Sequence, residues 1–496
     1  MNIIKYTHIA LLILLISIIS SEALFAQVSG YTFRKKFAVD NAQVSGATDL
    51  TDFPVLISLT DADLRSTGNG GDVESPNGYD ITFTSADGST VLDHELESYD
   101  ASTGEILFWV RFPTLNATTD TEFFIYYGNS SQTTDQSVNT TWNSGYQMVL
   151  HLDSDLSDAT ANGNDGSTSG TSVTTGVIGD GRDFNAGSGT DIITIADDPS
   201  IEITGDITIS FWVNGSNLNS VGPDLVTKGA YNSSYAVYYF NNITVNDDGT
   251  AFDGSALSDG TDYYVTFTNS STNGRTIYID GAQDVTNATA FNFTPNGDNL
   301  TLSSGDYQFD GMMDEVRISN VALSADWIAT EFNNQGSPGS FISEIPDPPV
   351  LADIESTPQS FFAGGSPVFI TSSITATHPY TTNLSSAEVE ITGNYNASED
   401  VLAFVDQNGI TGSWSSGTGI LTLTGSASFA DYQTALRSVT YENTEASTPD
   451  QNTRTISITV NDGSNDSNTE TRDINIITTL TDLSTDLSNP VFHFDA

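Results

Sequence analysis

Along most of this chain, short runs rich in Val, Ile, Thr, Tyr and Phe alternate apolar with polar positions and end in clusters of Gly, Asn, Asp and Ser. YDITFTSADGSTVLDHELESYD and TRTISITVNDGSNDSNTETRDINI show the pattern, which is that of half-buried antiparallel strands. Asp-Gly at 87–88 and 462–463 sits between strand-like runs, a strong hairpin signal. Helical periodicity is nearly absent. Two short candidates stand out: ADWIATEF, capped by Ser324, and SFADYQTAL over 428–436. The expected fold class is all-β, with tandem antiparallel β-sandwiches.

Strand alternation also sorts the chemistry. In FDGMMDEVRISNVALSADW (309–327), regular alternation places Asp314, Val316 and Ile318 on the core face and Glu315 and Arg317 on the other. A buried carboxylate is costly unless paired or metal-bound, so Asp314 is either such a group or sits at a strand mouth reached by water. Asp93, Glu95 and Glu97 share one face of another strand, opposite Leu92, His94 and Leu96. They read as a solvated sheet face in preference to a cation shelf, and His94 as a structural histidine. Trp109 and Phe108 read as core packing. Phe211 and Trp212 point to opposite faces. In SYAVYYF, Tyr238 and Phe240 go one way and Tyr239 the other, so at least one aromatic faces out. Trp327 is expected to anchor its helix to a sandwich.

The chain has 496 residues, enough for about three domains at roughly 150 residues each. Its 64 acidic residues against 13 Lys and Arg give a net charge of −51, spread along the chain. Such charge argues against binding nucleic acid or anionic membranes. The many Asp residues suit turns and divalent-ion loops, and adaptation to a saline habitat explains the total charge equally well. Lys5 followed by an apolar run from Ile9 to Ile19 and small residues reads as a secretory signal peptide over 1–26. No later stretch is long enough to span a bilayer. Cysteine is absent, so an exported fold must rely on core burial and ions instead of disulfides.

Three modules follow. The first, 31–128, contains YTFRKKFAVDNAQVSG, LTDFPVLISLTDADL, EILFWVRFP and FFIYYGN, and resembles the bacterial domain of unknown function numbered 2341. The second, 145–341, opens with YQMVLHLDSDLSDATANGNDGS, continues through ITISFWVNG and closes with the 309–327 segment. It resembles the LamG-like (concanavalin A-like) jelly rolls of bacterial secreted proteins. That resemblance implies adjacent chain ends and a calcium site joining the opening loop to the closing strand, here Asp158, Asn164 and Asp314. A proline-marked linker, 342–349, leads to the third module, 350–477. There SSAEVEITGNYNASEDVLAFVDQNGITGSW and GILTLTGSASFADYQTALRSVTYEN resemble a cadherin-like repeat of large bacterial surface proteins, without its recognisable calcium motifs. Glu399 and Asp400 read as turn formers. Residues 478–496 read as a linker and the start of a further domain, because SNPVFHFDA echoes MVLHLDSD; the chain is expected to be a fragment.

No HExxH, GxSxG or phosphate-binding glycine loop is present, and thiol nucleophiles are excluded. The functional expectation is a non-catalytic secreted or cell-surface protein. It binds glycans or other cell-surface polymers, or mediates adhesion, through a calcium-stabilised jelly roll. The alternative is the accessory region of a polysaccharide-degrading glycoside hydrolase. No residue is nominated as a sugar contact.

Overall fold

The computed structural model describes residues 28–478, apart from 188–189, 217, 219–221, 230–233, 248–249, 305–306 and 379–382. The signal-peptide and C-terminal expectations, 1–26 and 479–496, lie outside the described residues. The chain forms two units, 1–344 and 345–496.

In the first unit, the N-terminal sandwich has two sheets. One orders strands Ile342–Glu344, Phe33–Val39, Thr121–Tyr127 and Thr82–Ser85; the other orders Leu50–Thr60, Glu105–Leu115 and His94–Asp100. Residues 342–344, expected as the head of a linker, are therefore an edge strand paired with Phe33–Val39. The second sandwich is a jelly roll of an eight-stranded and a seven-stranded sheet over a core of aliphatic and aromatic side chains. Phe211 joins that core while Trp212 lies on the opposite face, and Tyr235, Val237 and Tyr239 point inward, as alternation predicts.

These two sandwiches share a core. The cluster that fills the first also contains Trp142, Tyr146, Val149, Ile178 and Trp327 from the second module and its lead-in. The helix Ala325–Gly336, capped by Ser324 Oγ accepting from Trp327 N, lies between them. Trp327 packs 4.7 Å from Phe53 of the first sandwich, whereas Gln335 Oε1 accepts from Trp212 Nε1 of the second. Leu50–Thr60 is an edge strand, and an unpaired buried edge would leave backbone groups unsatisfied. Asn334 closes that edge: its Oδ1 accepts from Leu56 N at 2.7 Å and its Nδ2 donates to Leu56 O at 3.0 Å.

The closing strand Gly311–Ser319 departs from regular alternation. Its pairing with Ile207–Gly215 steps from Trp212↔Asp314 to Ser210↔Arg317, so Glu315 and Val316 together oppose Phe211. Glu315 adopts φ +52°, the left-handed value that such a bulge demands. At the bulge the strand also changes partner, from Asp180–Phe184 to the opening strand Tyr146–Leu150. The two ends of the jelly roll are thus adjacent. The bulge corrects the face assignment of Asp314: Met313, Val316 and Ile318 enter the jelly-roll core, and Asp314 sits with Trp212 on the other face.

The second unit has a six-stranded sheet, a three-stranded sheet and a two-stranded ribbon over one aliphatic core. The helical candidate over 428–436 is the helix Phe429–Ser438, which Ser428 caps. Asp400 does more than shape a turn. It is fully buried, accepts from Arg454 Nε at 2.8 Å and from Tyr441 Oη at 2.6 Å, and also from Asn396 N. Removing one member of such a pair strands the other charge in the core. Arg454→Leu should therefore destabilise the 345–496 unit by about 3–5 kcal/mol in urea denaturation. A change under about 1 kcal/mol would show that the pair is not structural.

Candidate functional site

The seam between the first sandwich and the jelly roll concentrates the unit's buried charge. On the first-sandwich side, strand His94–Asp100 carries a bulge. Its pairing steps from Leu96↔Phe108 to Ser98↔Leu107, leaving Glu97 unopposed. Glu95 stays in register with Trp109. The face that sequence alternation assigned to solvent is instead covered: the Glu97 side chain is 4% exposed. Trp109 Nε1 donates to Glu97 Oε2 at 2.7 Å, and Trp142 Nε1 donates to Glu95 Oε2 at 2.6 Å.

The jelly roll faces them with His151, Glu315 and Arg317. His151 directly follows the opening strand, whose Leu150 pairs with Val316, and so stands beside the Glu315 bulge. Its Nδ1 is 2.7 Å from Glu315 Oε1 and 3.7 Å from Glu97 Oε2. Its Nε2 is buried without a hydrogen bond, with Glu95 Oε1 3.5 Å away. Arg317 Nη2 donates to Glu315 Oε2 at 2.5 Å and Nη1 approaches Glu331 Oε1 at 3.5 Å. The guanidinium lies 4.3 Å from the Trp109 ring centre and 4.8 Å from that of Trp142, a desolvated cation–π arrangement. Glu331, from the intervening helix, also accepts from Tyr146 Oη at 2.7 Å and Tyr264 Oη at 3.1 Å. A cavity of about 360 Å³ opens onto this cluster, lined by Glu95, Glu97, His151, Asp153, Asp155 and Asp158 among others.

Burial and mutual charge set the protonation states. Burial pushes the Glu97 carboxyl up to about 7, with His151 opposing and Glu315 reinforcing. For His151, burial alone would lower basicity, but the Glu315 and Glu95 carboxylates outweigh it and hold the imidazolium well above its ordinary range. For Glu315, burial opposes ionisation, and His151 and Arg317 overcome it, so this carboxyl titrates below its usual value. Burial, then the neighbouring Glu315 charge, raises Asp314 well above the carboxylate range.

The three residues expected as calcium ligands are placed as follows. Asp158 organises the opening loop: Oδ1 accepts from Val149 N and Thr160 N, and Oδ2 from Thr160 Oγ1 and Asn164 N. Those four bonds occupy the carboxylate's acceptor positions. Asn164 adjoins Asp158 through that last bond and donates from Nδ2 to Gln147 O and Ser200 Oγ, while its Oδ1 is buried without a partner. Asp314 bonds elsewhere: Oδ2 accepts from Val177 N and Ile178 N, and Oδ1 is likewise buried and unpartnered. A Cβ at Gly176 would meet Asp314 Oδ2 at 2.5 Å, so this loop needs glycine to close over the carboxylate. His94 is structural, as expected, bonded to Leu92 O and packed on Phe83 and Phe108.

Sequence reasoning missed His151, Glu97 and Glu315 as a group. Alternation separates them, and only the two bulges and the seam bring them together. The nearest sequence signal was Glu315-Val-Arg317, a charged pair flanking an apolar strand position.

Sequence comparison places known families on this geometry. Residues 187–329 match the concanavalin A-like lectin/glucanases superfamily, and residues 77–164 match the domain of unknown function DUF2341. The second match crosses from the first sandwich into the jelly roll and contains Glu95, Glu97, Trp109, Trp142 and His151. A 226-residue stretch is 30% identical to Halomucin of Haloquadratum walsbyi; it covers 43% of this chain and 2% of that protein. Among solved structures, domain 4 of AbnA, a GH43 extracellular arabinanase from Geobacillus stearothermophilus in complex with arabinotriose, is 20% identical, with TM-score 0.32. That alignment covers 38% of this chain and 98% of the domain. The binding domain of Paraclostridial Mosquitocidal Protein 1 is 15% identical over 65% of this chain and 82% of its own, with TM-score 0.34.

Glu97 yields a test. Its carboxyl titrates at about 7 in the folded protein against 4.5 ordinarily, so folding favours its protonated form. The stability it contributes is present below pH 4.5 and is lost as pH rises through 7. In chelator, Glu97→Gln should be more stable than the parent at pH 8 by up to about 3 kcal/mol, with the gain vanishing towards pH 4.5. A difference that does not vary with pH, measured by urea denaturation, would contradict this. Residues 77–164 thus match the DUF2341 model and residues 187–329 the concanavalin A-like lectin/glucanases superfamily model, and both matched regions contribute side chains to this charged seam.

Proposed function

We propose that this chain is a non-catalytic part of a secreted or cell-surface protein that binds carbohydrate through its jelly roll. The family match to residues 187–329 supports the class of ligand. The observation that carries the reading is two large aromatic side chains left exposed. Phe240 is 65% exposed and Tyr307 51% exposed, in a unit that buries nearly all its other large aromatics. Both flank one end of strand Asp224–Lys228: Tyr239 N donates to Pro223 O, and Asp224 N donates to Tyr307 O. A Cβ at Gly222 would meet the Phe240 ring at 3.1 Å, so the turn lies against that ring. Exposed rings beside Asn241 and Asn242 offer a sugar both an apolar face to stack on and polar partners for its hydroxyls. Export is supported by the N-terminal sequence pattern, and among the described residues no helix is long and apolar enough to cross a membrane.

Structural calcium at Asp158, Asn164 and Asp314 belongs to the same proposal on narrower ground, with Asp158 exchanging one of its four hydrogen bonds for the ion. Its support is the unpartnered, buried Oδ1 atoms of Asn164 and Asp314, since both Asp158 oxygens are already hydrogen-bonded. One glycan-array experiment on the full chain, with calcium and with EDTA, tests the reading. The parent protein should bind a subset of polysaccharides, and Phe240→Ala/Tyr307→Ala should lose about tenfold or more in affinity without a change in Tm. EDTA should lower the Tm. Equal binding by the double variant would remove the platform, and an unchanged melt in EDTA would remove the calcium.

A further inference from the structure

The seam holds more negative charge than its cations balance. Glu95, Glu97, Asp314, Glu315 and Glu331 converge there, against Arg317 and His151. Buried carboxylates need pairing, protonation or a metal. Arg317 is committed to Glu315 and Glu331, so Glu95 and Glu97 have His151 as the cation beside them.

We propose that this seam is a binding site for a divalent transition-metal ion, held by His151 Nδ1, Glu97 Oε2 and Glu315 Oε1. Among the described residues, these are the three histidine and acidic side chains whose ligand atoms all lie within 4.8 Å of one another. The His151 nitrogen stands 2.7 Å from Glu315 and 3.7 Å from Glu97. In a tetrahedral site with bonds of about 2.0–2.1 Å, ligand atoms stand roughly 3.4 Å apart, so the His151–Glu315 separation opens by about 0.7 Å and the His151–Glu97 separation closes by about 0.3 Å. The ion replaces the proton shared by His151 and Glu315 and any proton on Glu97, and these leave to solvent through the acidic cavity. A fourth position opens onto that cavity, as in zinc sites that keep one ligand exchangeable.

An independent feature points to the same ion. His151 has a side chain only 10% exposed, lines the cavity, and carries an Nε2 without a hydrogen bond, facing Glu95 Oε1 at 3.5 Å. Metal-bound imidazoles typically donate their second nitrogen to a carboxylate, which fixes the tautomer. Glu95 is placed for that role and is itself held by Trp142 Nε1. Trp109 Nε1 holds Glu97 and Arg317 holds Glu315, so each ligand has an orienting partner. The imidazole selects Zn²⁺ or a similar borderline ion over Ca²⁺, which takes six to eight oxygens. The site is therefore distinct from the calcium proposal and independent of sugar binding.

The test uses the full chain stripped with EDTA, titrated with ZnCl₂ by calorimetry, with CaCl₂ as the comparison. One equivalent of Zn²⁺ should bind, calcium should not displace it, and His151→Gln and Glu97→Gln should each weaken binding by at least about tenfold. Zn-edge absorption on the parent protein should show one imidazole at about 2.0–2.1 Å, a readout that needs no variant to fold. No stoichiometric binding would reduce the seam to ion pairs and protons. Undiminished affinity in both variants, or an oxygen-only zinc shell, would place the metal elsewhere and overturn the site.

Discussion

Arg317 is the constraint on which the first unit depends. It is a fully buried guanidinium, and an isolated ion in that position would cost several kcal/mol after relaxation. The surroundings meet the cost from both sandwiches at once. Glu315 comes from the jelly roll's closing strand, Glu331 from the helix after it, and Trp109 from the first sandwich. The carboxylates come from the jelly-roll module and the aromatic cover from the first sandwich, so the full set needs both. The two folds are therefore one unit because the cover of Arg317 and the carboxylates around His151 come from both, as well as because they share an apolar core.

That requirement explains two irregularities. Both acids facing His151 Nδ1, Glu97 and Glu315, occur at β-bulges. A regular strand delivers side chains to alternate faces, whereas a bulge re-aims one residue. The bulge at Glu315 places two consecutive carboxylates, Asp314 and Glu315, outside the jelly-roll core, and costs a non-glycine residue at positive φ. The strain persists because the strand exchanges neighbours there, from Asp180–Phe184 to Tyr146–Leu150. The intervening helix makes the same connection by other means, with Trp327 and Asn334 directed at the first sandwich and Gln335 at the second.

What the sequence made legible follows the range of the interaction. The all-β class, the Ser324 cap, the helix near 428–436, the opposite faces of Phe211 and Trp212, and the adjacency of the jelly roll's ends depend on local pattern or on a recognised motif. The seam does not. Asp93, Glu95 and Glu97 look like a solvated face until another sandwich covers Glu95 and Glu97, and nothing local to 93–97 announces that cover. Asp314 was assigned to the wrong face because alternation was extended through a bulge that a Glu-Val pair does not advertise; a glycine there would have. Asp400 was read as a turn residue because its partner, Arg454, is 54 positions away.

The most direct test of the shared-seam account is native-state hydrogen exchange on the full chain, comparing the parent with Arg317→Leu. Strand Glu105–Leu115 lies in the first sandwich and strand Ile207–Gly215 in the jelly roll, on opposite sides of the seam. If the buried guanidinium joins them into one cooperative unit, the most protected amides of both strands share one opening free energy. The substitution should lower both by the same amount, about 3–5 kcal/mol. Loss of protection confined to the jelly-roll strand, with Glu105–Leu115 unchanged, would show that the sandwiches unfold independently and would contradict the account.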